Sequence, residues 1–257
     1  MRNAGRIVTG AEYVGAITAT ASDRRYRQEF QRLALRLTAP GEVLFDFGSG
    51  PGIDARFYAE HGRRVAAYDV DPQMSEHLAG HCRDLIATGA VRLQEGDYGE
   101  FLASTAPTEG WHAELVTANF APLNLIDDLN ALFAKLAALT SPGGAVLASV
   151  LNPYFVGDLR YGWWWRNLGA FLRRGRYAVP GTQALIWRRS LAEYERQCAP
   201  YFHLDEVFAG TSTRACARGA LLPLTTCRFM FLLFRRADRT HAPGVAQDDQ
   251  PRATRVS

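Results

Sequence analysis

Lysine is nearly absent from this chain. Of 29 basic residues only Lys135 is not arginine, a bias of composition rather than a site. The four cysteines, Cys82, Cys198, Cys216 and Cys227, show no C-x-x-C spacing and no histidine at metal-ligand distance. Neither a disulfide framework nor a zinc site follows, no metal is expected, and a reducing cytoplasm fits best. Long apolar runs are also missing. Nowhere do 18 apolar residues follow one another, and the opening MRNAGRIVTGAEYVG lacks the continuous apolar stretch of a secretion leader. The expectation is a cytoplasmic protein that does not span a membrane. Excess charge is lacking too, because a formal +3 and a pI near 8.7 are milder than the footprint of most nucleic-acid binders. What remains is an ordinary globular composition, 47% hydrophobic and 21% charged over 257 residues, enough for one domain with a sizeable core.

Helices and strands alternate along most of the chain. From Ser22 to Leu37 the apolar residues Tyr26, Phe30, Leu33 and Leu37 recur at helical spacing, with Ser22 and Asp23 as capping candidates. Strands are predicted at Val43–Phe47, Arg64–Tyr68, Val91–Gln94, Ala113–Ala118 and Ala145–Leu151, the last after a Ser-Pro-Gly-Gly turn at 141–144. Helices are predicted at Ile53–Glu60, Pro72–Ala87 and Ile126–Leu139. Five such strands with intervening helices imply an α/β, doubly wound parallel sheet. After Asn152-Pro153 the pattern gives way to an aromatic, arginine-rich insertion over about 153–187, followed by a helical segment, RRSLAEYERQCAPYF. FHLDEVFAG and LTTCRFMFLLFRR read as two strands able to pair antiparallel at a sheet edge, which makes the sheet mixed and seven-stranded. The domain therefore covers 1–236, and a polar tail, 237–257, is expected to be disordered.

One stretch carries chemistry. In VLFDFGSGPGIDARF an apolar strand ends on Asp46 and Phe47 and turns through Gly48, Gly50 and Gly52 into a helix. Bare backbone at the carboxyl edge of an open α/β sheet is where ligands of such folds bind. Ile53 stands where a dinucleotide fingerprint needs its third glycine, and a carboxylate aimed at the loop repels a pyrophosphate but suits an ammonium group.

FDFGSGPGIDARFYAEHGRRVAAYDVDPQM resembles the first two motifs of the class I S-adenosylmethionine-dependent methyltransferases, and the likeness runs through about two thirds of the chain. The resemblance implies that Asp46, Gly48, Gly50 and Gly52 receive the amino-acid end of the methyl donor. It also implies that Asp69, with Val70 next to it, holds the ribose hydroxyls, which a carboxylate accepts in pairs. Met74 falls where an apolar side chain lies against adenine. LQEGDYGEF resembles the acidic motif after the third strand, which gives Asp97 and Tyr98 to the adenine. VTANFAPLNLIDDL resembles the end of the fourth strand, where Asn119 and Phe120 line the junction of donor and acceptor. The expected product is S-adenosylhomocysteine. Read as residues alone, Met74 is equally a core side chain, Asp97-Tyr98 an ordinary turn and Asn119 a helix cap.

The insertion is amphipathic, with Trp164, Leu168, Phe171 and Leu172 at i, i+4, i+7 and i+8. In relatives of this fold such an insertion is a substrate-recognition cap, so Tyr154, Trp163, Trp164 and Trp165, with Tyr13 from the N-terminal segment, are the candidates to line a small hydrophobic or aromatic acceptor. The same residues also fit plain packing, an interfacial lipid contact or a stacking surface for RNA. RNA is disfavoured by the modest charge. A protein methyltransferase and a non-catalytic donor-binding module remain the other functional readings. None of the histidines lies at the reactive edge, so no general base is assigned, and oligomeric state is not legible.

Overall fold

The computed structural model describes residues 20–104, 111–181, 184–217 and 222–237. Tyr13 and nearly all of the 237–257 tail lie outside them. The chain folds in the order α1 (Ala21–Arg36), β1 (Val43–Phe47), α2 (Ile53–Glu60), β2 (Arg64–Tyr68), α3 (Pro72–His81), α4 (Arg83–Ala87), β3 (Val91–Gln94), α5 (Tyr98–Ala103), β4 (Ala113–Ala118), α6 (Leu129–Leu139) and β5 (Thr140–Leu151). A cap follows, made of a short 3-10 turn (Val156–Arg160), α7 (Gly162–Arg174) and the hairpin β6 (Arg176–Pro180) and β7 (Leu185–Arg189). It runs two residues past the expected boundary. The chain then completes α8 (Leu191–Cys198), β8 (Phe202–Ala209), α9 (Leu222–Thr225) and β9 (Phe229–Arg236).

The sheet has seven strands in the order β3-β2-β1-β4-β5-β9-β8. β1 to β5 are parallel, and β9 runs antiparallel between β5 and β8, so β9 is interior rather than at the edge. Helices cover both faces, which is why the strands read as apolar without alternation. Alternate residues of β1 divide between the two cores. Val43, Phe45 and Phe47 pack with α5 and α6, whereas Leu44 packs with α1 and α2. Asp46 shares the face of Leu44, so its carboxylate points toward α1 and α2. Strand order reverses between β1 and β4, which opens a crevice at their carboxyl ends.

Several boundaries differ from the sequence reading. Thr20, not Ser22, caps α1 by accepting from the Asp23 amide. The helix expected at Pro72–Ala87 breaks at Cys82, whose thiol faces the Gly52 carbonyl at 3.7 Å. α6 begins at Leu129 because the carbonyls of Ile126 and Asp127 accept from Arg189 Nη2 at 2.5 and 3.0 Å, and Asp128 becomes the cap. Residues 141–144 lie inside β5, where the register against β4 shifts between Ala113 and Leu115.

Arg189 is fully buried, and its Nη1 also donates to the Leu123 carbonyl at 3.1 Å. It thus ties the cap hairpin to the loop after β4. Arg189→Leu is expected to lower the unfolding free energy by about 3 kcal/mol in urea titration, since three carbonyls lose their donor. Unchanged stability would show that water replaces the guanidinium.

Candidate functional site

The glycine turn closes the crevice on one side. The Gly48 and Ser49 amides donate to the Tyr68 carbonyl at 2.8 and 3.0 Å, and the Gly50 amide donates to Asp69 Oδ2 at 2.7 Å. Asp69 Oδ1 accepts from the Asp71 amide at 2.9 Å, so one carboxylate ties the turn to the end of β2. A β-carbon on Gly52, at φ +83°, would lie 2.6 Å from Leu78 Cγ, and one on Gly48 would lie 2.8 Å from Pro122 Cβ. One on Gly50 would meet nothing within 4 Å. Gly48 and Gly52 are thus required by packing, and Gly50 borders open space. Val70 beside it is exposed despite its apolar side chain, and Met74 is buried on α3. Burial pushes the Asp69 carboxyl up, against the two amides that stabilise its charge.

Behind the turn lies a buried polar network. Asp46 is 2% exposed, and its register opposite Thr117 lets Oδ1 accept from the Thr117 hydroxyl at 2.8 Å. Its Oδ2 is buried with no partner among the described residues. In the first turn of α2, Asp54 accepts from Arg27 Nη1 at 2.5 Å, Gln31 Nε2 at 2.7 Å and Asn119 Nδ2 at 3.0 Å. Asn119 Oδ1 accepts from the Phe120 amide at 2.9 Å. Phe120 and Ala121 both adopt positive φ, 58° and 70°, a strained backbone for side-chain-bearing residues of the kind that clusters at functional sites. The Arg27 guanidinium lies 4.6 Å from the centre of the Phe120 ring. Burial first, and then the charge of Asp54, push the Asp46 carboxyl up to about 7.

The other expected residues separate. Asp97 caps α5, with its Oδ1 taking the Glu100 amide at 2.8 Å while Glu100 reaches back to the Asp97 amide at 2.9 Å. Asp97, open in the sequence to an ordinary turn, is thus a helix cap, and Asn119, open there to capping, donates to Asp54 instead. Tyr98 is half-buried against Phe101, and burial pushes its hydroxyl up to about 12. In the cap, Tyr154 accepts from the Leu191 amide at 3.2 Å, and its ring meets Phe171 edge-on. Trp163 stacks on Tyr161 and lies tilted against Tyr177, Trp164 is half-buried, and Trp165 faces solvent with its indole donating to the Leu159 carbonyl. Sequence reading missed Asp54, Arg27, Gln31 and Thr117. Gln31 alone left a trace, as a polar residue amid the apolar face of Phe30, Leu33 and Ala34.

The model of one protein family, described as a methyltransferase domain, matches residues 19–201. The malonyl-[acyl-carrier protein] O-methyltransferase of Serratia marcescens is 31% identical over 144 residues, 54% of this chain and 52% of that protein. The match thus spans about half the length of that curated relative. The 1,6-didemethyltoxoflavin-N1-methyltransferase of Burkholderia thailandensis, solved with its acceptor and S-adenosylhomocysteine, superimposes with a TM-score of 0.57 at 18% identity, over 90% of this chain and 88% of its own. The geranyl diphosphate C-methyltransferase of Streptomyces coelicolor A3(2) gives 0.57 at 16% identity, over 84% and 77%. At these identities the two structures show the fold alone.

The buried carboxylate carries a pH signature. With its folded pKa raised to about 7 from 3.8, Asp46 favours the folded state while protonated, and that contribution is lost as pH rises between the two values. Asp46→Asn, which mimics the protonated form, is expected to gain about 2 kcal/mol of stability relative to the parent between pH 5 and pH 8, read from urea titrations. A pH-independent difference would mean that Asp46 is ionised throughout.

Proposed function

Because the chain belongs to the methyltransferase-domain family, whose donor is S-adenosylmethionine, we propose that it methylates an oxygen, nitrogen or carbon of a small hydrophobic or aromatic acceptor seated beneath the cap. The observation that carries this reading is the open space at Gly50, whose amide donates to Asp69, in the turn that follows the buried Asp46 with its unpartnered Oδ2. The donor set fits the group. A carboxylate offers about four acceptor sites, of which Asp69 uses two for backbone amides and keeps two for a vicinal diol. Val70 and Met74 supply apolar surface for adenine, and Asp97 retains a second oxygen for an exocyclic amine. Asp46 is the carboxylate that an ammonium group at the amino-acid end would keep ionised.

When bound, S-adenosylmethionine supplies a sulfonium-activated methyl group that the acceptor takes in line, leaving S-adenosylhomocysteine. The chain contributes position rather than proton transfer. Asn119, locked by Asp54, sets the strained Phe120 backbone at the mouth of β4, and the Arg27 guanidinium fixes the Phe120 ring. Tyr154, beyond the end of β5, places the inner aromatic face of the cap over the same edge. The names of the three relatives support a small acceptor group, whether borne on a carrier protein or free, and leave the atom open, since they are O-, N- and C-methyltransferases. Among the described residues all four cysteines are free, which supports placing the reaction in the cytoplasm.

Titration calorimetry of the purified protein with S-adenosylmethionine and S-adenosylhomocysteine tests the reading, with micromolar binding of both expected. Asp69→Ala should weaken each by about 1–3 kcal/mol, or roughly five- to 150-fold. Full affinity in that variant would remove Asp69 from the ribose site, and a folded parent that binds neither ligand would sink the donor assignment.

A further inference from the structure

From Leu159 to Ala192 the chain runs for 34 residues without an Asp or Glu and with seven arginines. Arg188 and Arg189 are buried on backbone carbonyls, and Arg176 faces Asp127 and Glu193. Arg160, Arg166, Arg173 and Arg174 are exposed. Around them lies apolar surface. Of the eight large hydrophobic side chains exposed among the described residues, six belong to the cap: Val156, Leu159, Tyr161, Trp165, Leu172 and Leu185. Leu172 is 75% exposed and Trp165 59%.

The arrangement on α7 is ordered. Trp165 and Leu172, seven residues apart, form one outward stripe, and Arg166 and Arg173, also seven apart, form the stripe beside it. Trp164, Leu168 and Phe171 occupy the inner side, where Phe171 meets Tyr154 and Tyr177. The helix therefore already has a packed face. Its second apolar stripe has no function in holding the cap to the sheet, and contiguous exposed apolar surface of this kind marks a docking site.

We propose that this outer face of the cap docks on an anionic lipid surface. Trp165 and Leu172 enter the boundary between headgroups and acyl chains, and Arg166, Arg173 and Arg174 lie on the lipid phosphates. The charge pattern selects this occupant. A protein-docking face sets register with charges of both signs, whereas the cap offers one sign over its whole outer surface, the complement of an anionic leaflet. Trp beside arginine on an amphipathic helix is the composition that settles at such an interface. No described helix is long and apolar enough to cross the bilayer, so the contact is peripheral. The proposal stands on the surface of the cap and does not depend on the methyl-transfer reading.

Co-sedimentation of the full chain with phosphatidylcholine vesicles, with and without about 30 mol% phosphatidylglycerol, tests it. Binding is expected to be at least about tenfold tighter to the anionic vesicles, and to weaken in about 0.5 M NaCl. Leu172→Asp and the pair Arg173→Gln/Arg174→Gln should each weaken binding about tenfold or more, while thermal unfolding and S-adenosylhomocysteine affinity stay at parental values. Equal binding to neutral and anionic vesicles, parental binding by both variants, or no vesicle binding would overturn the proposal. Binding of soluble polyglutamate in place of vesicles would also overturn it, assigning the face to an acidic protein.

Discussion

Asp54 accepts hydrogen bonds from α1 through Arg27 and Gln31 and from the end of β4 through Asn119, while standing in the first turn of the helix that the glycine turn opens. A buried carboxylate is costly unless paired, and removing one partner of such a network leaves the others stranded. Three pieces of chain distant in sequence are thereby locked into one arrangement. The glycine turn, the strained Phe120 backbone and the helix that packs beneath both inherit their positions from this group.

The same charge acts on Asp46. Burial foremost, and then the nearby Asp54, drive Asp46, with only the Thr117 hydroxyl on one oxygen, toward protonation. Its second oxygen is buried without a partner among the described residues. Asp69 works differently, because two backbone amides partly stabilise its charge while they shape the turn.

The alternation of strands and helices, the glycine turn and the late antiparallel pair were legible because each rests on local periodicity or on a residue type with a strong backbone preference. Boundaries were lost where tertiary contacts decide them. Arg189, 63 residues from Ile126, sets where α6 starts, and a thiol against Gly52 marks the break between α3 and α4. Asp54, Arg27 and Thr117 carry no local signal, since each matters only through a partner far along the chain. Asp97, which local sequence offered as a turn, is the cap of α5. The cap aromatics show a further limit. Amphipathic spacing groups Leu172 with Trp164, Leu168 and Phe171, whereas Leu172 is exposed and lies with Trp165 on a second face, because i+8 is far enough round the helix to leave the packed side. The acceptor stays illegible because chemistry is grafted onto this fold in many ways.

The most direct measurement is a crystal structure of the protein with S-adenosylhomocysteine. Ligand density is expected to run from the open side of Gly50 to Asp69, with the ribose hydroxyls on the Asp69 carboxylate and the ammonium group toward Asp46 Oδ2. A ligand bound elsewhere on the molecule, leaving the glycine turn and Asp69 untouched, would contradict it.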